Sequence, residues 1–124
     1  MREIKFRAYD YDNKRFEYDV QYNYDYELGS SFLDILEDDH FVVEQYTGIK
    51  DMNDAEIYEG DIIKFHVVML SPNDKVGYVT YYPEYGYSIM LSRGSLLRQE
   101  YWASGDKHTI EVIGNIHEDE ELLH

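Results

Sequence analysis

From Phe16 to Leu28 the chain alternates without exception. Phe16, Tyr18, Val20, Tyr22, Tyr24, Tyr26 and Leu28 take the even positions, and Glu17, Asp19, Gln21, Asn23, Asp25 and Glu27 the odd ones. Successive side chains of a strand point to opposite faces, so this period predicts a long strand with one apolar and one acidic face. Ile4, Phe6 and Ala8 share the parity and predict a preceding strand, with a turn over residues 10–15. Keeping both apolar sets on one face requires an odd loop of about 3 or 5 residues. That register lays Lys5 and Arg7 beside Glu17, Asp19 and Gln21 and predicts that both bases pair across the hairpin. Asp25 and Glu27, further on, have no base near them in sequence. The stripe of Tyr18, Tyr22, Tyr24 and Tyr26 suits either a core face or a contact surface, since tyrosine joins an apolar ring to a hydroxyl that needs a partner or water.

Beyond the alternation the chain is punctuated by turns. Ser31-Phe32-Leu33-Asp34 matches the start of a capping box. With the apolar stripe Phe32, Leu33, Ile35 and Leu36 it predicts a helix of about two turns. Glu37, Asp38 and Asp39 oppose the helix dipole and should end it. Strands are expected over 41–45, from 57, over 62–69, 76–82, 87–91 and 109–116. The turns between them carry Asn, Asp, Gly or Pro at 51–54, 60–61, 71–74 and 83–86. Residues 92–106 are the least regular, read as a loop with one short strand around Tyr101-Trp102. Residues 118–123 read as a terminal helical turn. The sum is mainly β (α+β with little helix), one domain over 1–124, in the form of a small barrel or half-open sheet.

Within this frame one run stands out: Tyr46-Thr47-Gly48-Ile49-Lys50-Asp51-Met52-Asn53-Asp54-Ala55-Glu56-Ile57-Tyr58-Glu59-Gly60-Asp61-Ile62-Ile63-Lys64-Phe65. Together with residues 2–10 near the start and Glu111-Val112-Ile113-Gly114-Asn115-Ile116 near the end, it resembles the signature of the YopX-like family of phage and prophage proteins. The resemblance implies an SH3-like small β-barrel over 41–124, with an N-terminal β-hairpin and acidic strand over 1–28 and one short helix. It implies a bacterial host and brings no established molecular activity. The chain departs from the family pattern at Asn53-Asp54, where Asn-Gly is usual, at Asp119-Glu120, where Asn-Pro is common, and at Tyr9, where Trp is frequent.

Charge narrows the partners. The chain holds 26 acids against 11 bases, for a net charge of −15. Affinity for phosphate comes from Lys and Arg, so nucleic acid is not expected as a direct partner. Between Arg15 and Lys50 lie nine acids and no base. Acidic disordered chains are poor in aromatics, whereas this one has 14 Tyr, so the acids are expected on a folded surface. No apolar run reaches the ~20 residues of a membrane span. The charged start of the chain gives no expectation of a secretory signal. The absence of cysteine excludes disulfides, thiolate zinc sites and a cysteine nucleophile, and suits a cytoplasmic location.

No chemistry-bearing motif completes itself. Asp10-Tyr11-Asp12-Asn13 and Asp51-Met52-Asn53-Asp54 open like calcium loops, but Lys14 or Ala55 stands at position 5, Arg15 or Glu56 at 6 and Gln21 or Ile62 at 12. Both read as turns. The five histidines, His40, His66, His108, His117 and His124, contain no i, i+4 pair. Ser92, Ser95 and Ser104 lack a nucleophile elbow, and Arg93-Gly94 is no phosphate loop. No catalytic residue, cofactor or metal ligand is therefore assigned. The expected function is a non-catalytic binding module offering an acidic, Tyr-rich surface to a basic protein. Its candidate residues are Tyr22, Tyr24, Asp25, Tyr26, Glu27, Glu37, Asp38 and Asp39. Alternate acids on a strand lie about 6.6 Å apart, close to the step between backbone phosphates. Two alternatives stand beside it: a metal-dependent nuclease or hydrolase using Glu56, Glu59, Asp61 and Lys64, and a homo-oligomer built through the tyrosine stripe.

Overall fold

The structure, a computed structural model, describes residues 3–22, 31–67, 75–91, 94–103 and 108–124. The chain forms two compact units, Met1–Tyr46 and Thr47–His124.

In the first unit strand β1 (Phe6–Asp10) pairs antiparallel with β2 (Arg15–Tyr18) on one side. On the other it pairs with the start of β3 (Phe41–Lys50). The hairpin is real, but its register corrects the expected one. Asp10 faces Arg15 and Tyr9 faces Phe16, which leaves a four-residue turn over 11–14. The even parity of Phe6 and Ala8 therefore lies on the face away from Phe16. Aromatic packing supports this register, with the Tyr9 and Phe16 rings edge to face at 4.9 Å. The bases follow the new parity. Arg7 donates from Nε to Glu44 Oε1 on β3 at 3.0 Å, both side chains buried, and its guanidinium lies 4.3 Å from the Phe16 ring centroid. Lys5 contacts Glu3 at 3.0 Å and lies over the Tyr46 ring.

The predicted strand over 16–28 ends at Tyr18. Asp19 sits in the left-handed region at φ 56°, through which a strand does not continue, and Val20–Tyr22 form a 3₁₀ turn. Tyr22 N–H donates to Asp19 O at 3.1 Å, and Gln21 Oε1 accepts the Phe6 N–H at 2.8 Å. A side chain thus takes the place of a ladder bond. Val20 is buried with Ala8 and Ile35, against Phe6, Phe32, Phe41 and Val43, while Tyr18 and Tyr22 are exposed. The even positions are accordingly not one face. Tyr24, Asp25, Tyr26 and Glu27 lie outside the described residues.

Helix α1 (Phe32–Glu37) starts as the capping box predicts. Ser31 Oγ accepts the Asp34 N–H at 3.4 Å and donates to Asp34 Oδ2 at 2.8 Å. It stops before Asp38, whose N–H returns to Ile35 O. Ile35 is its buried anchor, whereas Leu33 and Leu36 face solvent.

The second unit continues with β4 (Glu56–Tyr58), β5 (Asp61–Val67), β6 (Lys75–Tyr82), β7 (Gly86–Leu91), β8 (Leu96–Leu97), helix α2 (Gln99–Trp102) and β9 (His108–Asn115). Five strands form a curled antiparallel sheet in the order β8-β7-β6-β5-β9. A bulge between Ile62 and Ile63 shifts the β5–β9 register and adds local twist. Ile57, Ile63, Phe65, Val79, Ile89 and Trp102 lie at the centre of the core.

The short strand expected around Tyr101-Trp102 is a helix instead. Gln99 Oε1 accepts the Tyr87 N–H at 2.9 Å and the Trp102 indole N–H donates to Tyr87 O at 2.8 Å. One helical turn buries Trp102 and leaves Tyr101 outside. Gly86, at φ 75°, admits this arrangement, since a Cβ there would stand 2.4 Å from Gln99 Oε1. Residues Glu120–Leu123 close the chain in a 3₁₀ turn. The fold is mainly β and fits a small β-barrel, with two short α-helices among the described residues where one was expected. Among the described residues no helix is long and apolar enough to cross a membrane.

Candidate functional site

The polar residues of the run from Tyr46 to Phe65 hold backbone. Thr47 Oγ1 donates to Ile57 O at 2.8 Å and accepts the Ile49 N–H at 3.1 Å. Asp51, buried, accepts the Asn53 and Ala55 N–H groups on Oδ1 at 2.8 and 2.9 Å. Its Oδ2 accepts the Val112 N–H at 2.9 Å, and Met52 N–H donates to Ile110 O at 2.9 Å. The turn thereby closes part of the outer edge of β9, an edge that would otherwise offer unpaired N–H and C=O groups. At the corner, Gly60 adopts φ 84°, donates to Val79 O and accepts from Ile116 N–H, both at 2.8 Å. Asp61 Oδ2 accepts the Tyr58 N–H at 2.8 Å. Asn115 and Asp119 repeat the device near the end of the chain, binding the N–H groups of His117, Glu118 and Asn115. Of the residues in the nuclease reading, Asp61 is thus buried and engaged with the backbone. Glu56, Glu59 and Asp61 are not among the described residues that come close enough together to share a cation.

The acids of the first unit are placed differently. Glu37 and Asp39 are exposed and form no ion pair among the described residues. Asp38 is half-buried, and its Oδ1 accepts the His40 N–H at 3.1 Å and lies against His40 Nδ1. Tyr22 stands exposed on the 3₁₀ turn that packs beside α1. Of the eight residues picked from sequence, Tyr22, Glu37 and Asp39 are exposed and Asp38 is half-buried, while Tyr24, Asp25, Tyr26 and Glu27 lie outside the described residues. Leu33 and Leu36, two members of the apolar stripe of the helix, are exposed as well. Their exposure follows from the shortness of α1, which can bury only one narrow side.

A second grouping escaped the sequence reading. The β1–β2 turn and the α1–β3 connection meet because Tyr11 N–H donates to His40 O at 2.9 Å, next to the Asp10–Phe41 pair. His40 Nε2 then lies 3.9 Å from both Asp10 Oδ1 and Asp12 Oδ2. The imidazole rests on the Phe41 ring, centroid to centroid 4.2 Å. Asp10 is buried and accepts the Asp12 and Asn13 N–H groups and the Asn13 amide. The Asn13 side chain holds its carboxyl below the usual range, against the opposing effect of burial and with help from the two N–H groups and His40. Nearby, burial and then the charge of Glu44 push the Tyr11 phenol up. The spacing test applied to residues 10–13 looked only along the chain, whereas the third member arrives through β1–β3 pairing.

Comparison with known proteins follows the fold. The YopX protein family model matches residues 5–124, nearly the whole chain. The chain belongs to the YopX family. Among solved structures it is similar to the crystal structure of protein EF1440 from Enterococcus faecalis, at 22% identity and a TM-score of 0.64. The match covers 98% of this chain and 99% of that one. At that identity the likeness speaks for the fold alone. No curated protein matches.

Proposed function

We propose that this YopX-family chain is a non-catalytic binding module whose first unit presents an acidic, partly apolar face to a basic protein. One observation carries the reading: Glu37 and Asp39 are exposed without an ion-pair partner among the described residues, beside the exposed Leu33 and Leu36 of α1. Apolar contacts surrounded by charge of one sign fit a protein interface, where apolar area supplies affinity and charge supplies steering. The partner is a basic protein with its own small apolar patch, met in the cytoplasm of a bacterial host. Lys- and Arg-dependent recognition of nucleic acid by this chain is not part of the reading, and it needs no cofactor.

The test uses the triple variant Glu37→Ser, Asp38→Ser, Asp39→Ser. Wild-type chain on a solid support should retain a basic protein from a host lysate and release it as salt rises, because steering charges are screened over about 8–10 Å. The triple variant should retain less of that same protein while keeping the wild-type circular dichroism spectrum. Equal retention by both chains at all salt concentrations sinks the reading. Light scattering on the free protein tests the homo-oligomer alternative. A monomer leaves Tyr22 available to a different chain.

A further inference from the structure

We propose that Asp10, Asp12 and His40 together bind one divalent transition cation. The ligating atoms of these three residues lie within 4.8 Å of one another, and both Asp–His separations are 3.9 Å. Tetrahedral bonds of about 2.0–2.2 Å to zinc set neighbouring ligand atoms about 3.3–3.6 Å apart. Closing to that spacing takes shifts of up to about an ångström, by the half-buried His40 imidazole and the largely exposed Asp12 around the buried Asp10.

Three further observations favour a cation there. First, Asp38 holds His40 Nδ1, the carboxylate–histidine arrangement that fixes a ligand's tautomer and turns the other nitrogen outward. With the proton on Nδ1, the lone pair of Nε2 faces Asp10 and Asp12. Second, the scaffold is assembled in advance by the Tyr11–His40 backbone bond and by the stacking of the imidazole on Phe41. Third, charge is unbalanced. Asp10, Asp12 and Asp38 surround His40, and no Lys or Arg forms an ion pair with any of them among the described residues. A dication offsets that excess in a way one imidazole cannot.

The ligand types name the class. One imidazole nitrogen and two carboxylate oxygens suit zinc or manganese, whereas calcium takes six to eight oxygens and gains little from nitrogen. The exposed side of Asp12 leaves the remaining positions to water. The proposal does not depend on the protein partner, because its test reads cation binding rather than capture and its deciding variants, at Asp12 and His40, leave Leu33, Leu36, Glu37 and Asp39 in place.

Calorimetric titration of the full chain with Zn²⁺ at neutral pH should show one equivalent bound, and Ca²⁺ should bind more weakly. Asp12→Asn and His40→Gln should each weaken Zn²⁺ at least about tenfold. Asp38→Asn, acting through His40, should weaken it by about 10–100-fold, the range seen for partners of metal-bound histidines. Because both Asp12 and His40 are partly exposed, these variants should keep the wild-type spectrum. Mn²⁺ should broaden the amide resonances of residues 10–13 and 38–41 before all others. Absence of a stoichiometric Zn²⁺ site overturns the proposal. Wild-type affinity in His40→Gln also overturns it, since the ion then sits elsewhere, for example at His66 and Glu111, 3.2 Å apart.

Discussion

In the second unit Asp51, Asp61 and Asp119 turn their carboxylates onto backbone N–H groups, whereas in the first unit Glu37 and Asp39 face water beside two exposed leucines. The residue type is the same and the physics is not. A buried carboxylate that accepts two or three N–H groups replaces water those groups have lost, and removing it strands them. An exposed one keeps its hydration and contributes mainly through its field. Net charge therefore says little about where function lies in this chain. The acids that bind backbone hold turns and corners, and the exposed ones are those that the proposed binding face would use.

The comparison can be broken by substitutions, beginning with the one of largest effect. Trp102→Ala removes a fully buried ring and its bond to Tyr87, and should destabilise the chain by about 3–5 kcal/mol in urea unfolding. A loss below about 1 kcal/mol would mean that α2 does not anchor the second core. Asp51→Ala should cost about 2–3 kcal/mol, because the N–H groups of Asn53, Ala55 and Val112 lose their acceptor. Hydrogen exchange should then rise at Val112. If protection there is unchanged, the edge of β9 is not held by this turn.

Those two effects rest on contacts that the sequence only partly discloses. The turn at 51–54, the Gly60-Asp61 corner and the Ser31 cap were legible because local backbone demands select their residues. The acceptance of the Val112 N–H by Asp51, 61 residues away, was not, since no local pattern encodes it. The alternation over 16–28 misled for a related reason. Asp tolerates left-handed backbone, so Asp19 could end the strand, and Gln21 found a backbone donor in Phe6. Parity misled as well. The four-residue turn moved Phe16 to the face of Tyr9, and Arg7 found Glu44 rather than Glu17. A short strand was expected around Tyr101-Trp102, where a helical turn instead brings the Trp102 indole N–H to Tyr87 O, a long-range bond that no local pattern encodes. The cluster of Asp10, Asp12 and His40 depends on β1–β3 pairing and could be found only once that pairing was known.

Smaller effects sharpen the contrast within the first unit. Ser31→Ala should cost about 1 kcal/mol by removing the cap of α1, a loss that denaturant unfolding detects. A neutral result would show that Ile35 alone holds the helix. Leu36→Ser, at an exposed position, should change stability little and should weaken capture of the basic partner. If it unfolds the chain, Leu36 belongs to a core and not to a binding face.

The most direct test sets Asp51→Ala beside the triple variant Glu37→Ser, Asp38→Ser, Asp39→Ser in parallel urea unfolding at one ionic strength. Asp51→Ala should lower stability by about 2–3 kcal/mol, while the triple variant, which loses two exposed carboxylates and the half-buried Asp38 that accepts the His40 N–H, should lose no more than about 1 kcal/mol. The reverse order, a stable Asp51→Ala and an unfolded triple variant, would contradict the division of labour between the two sets of acids.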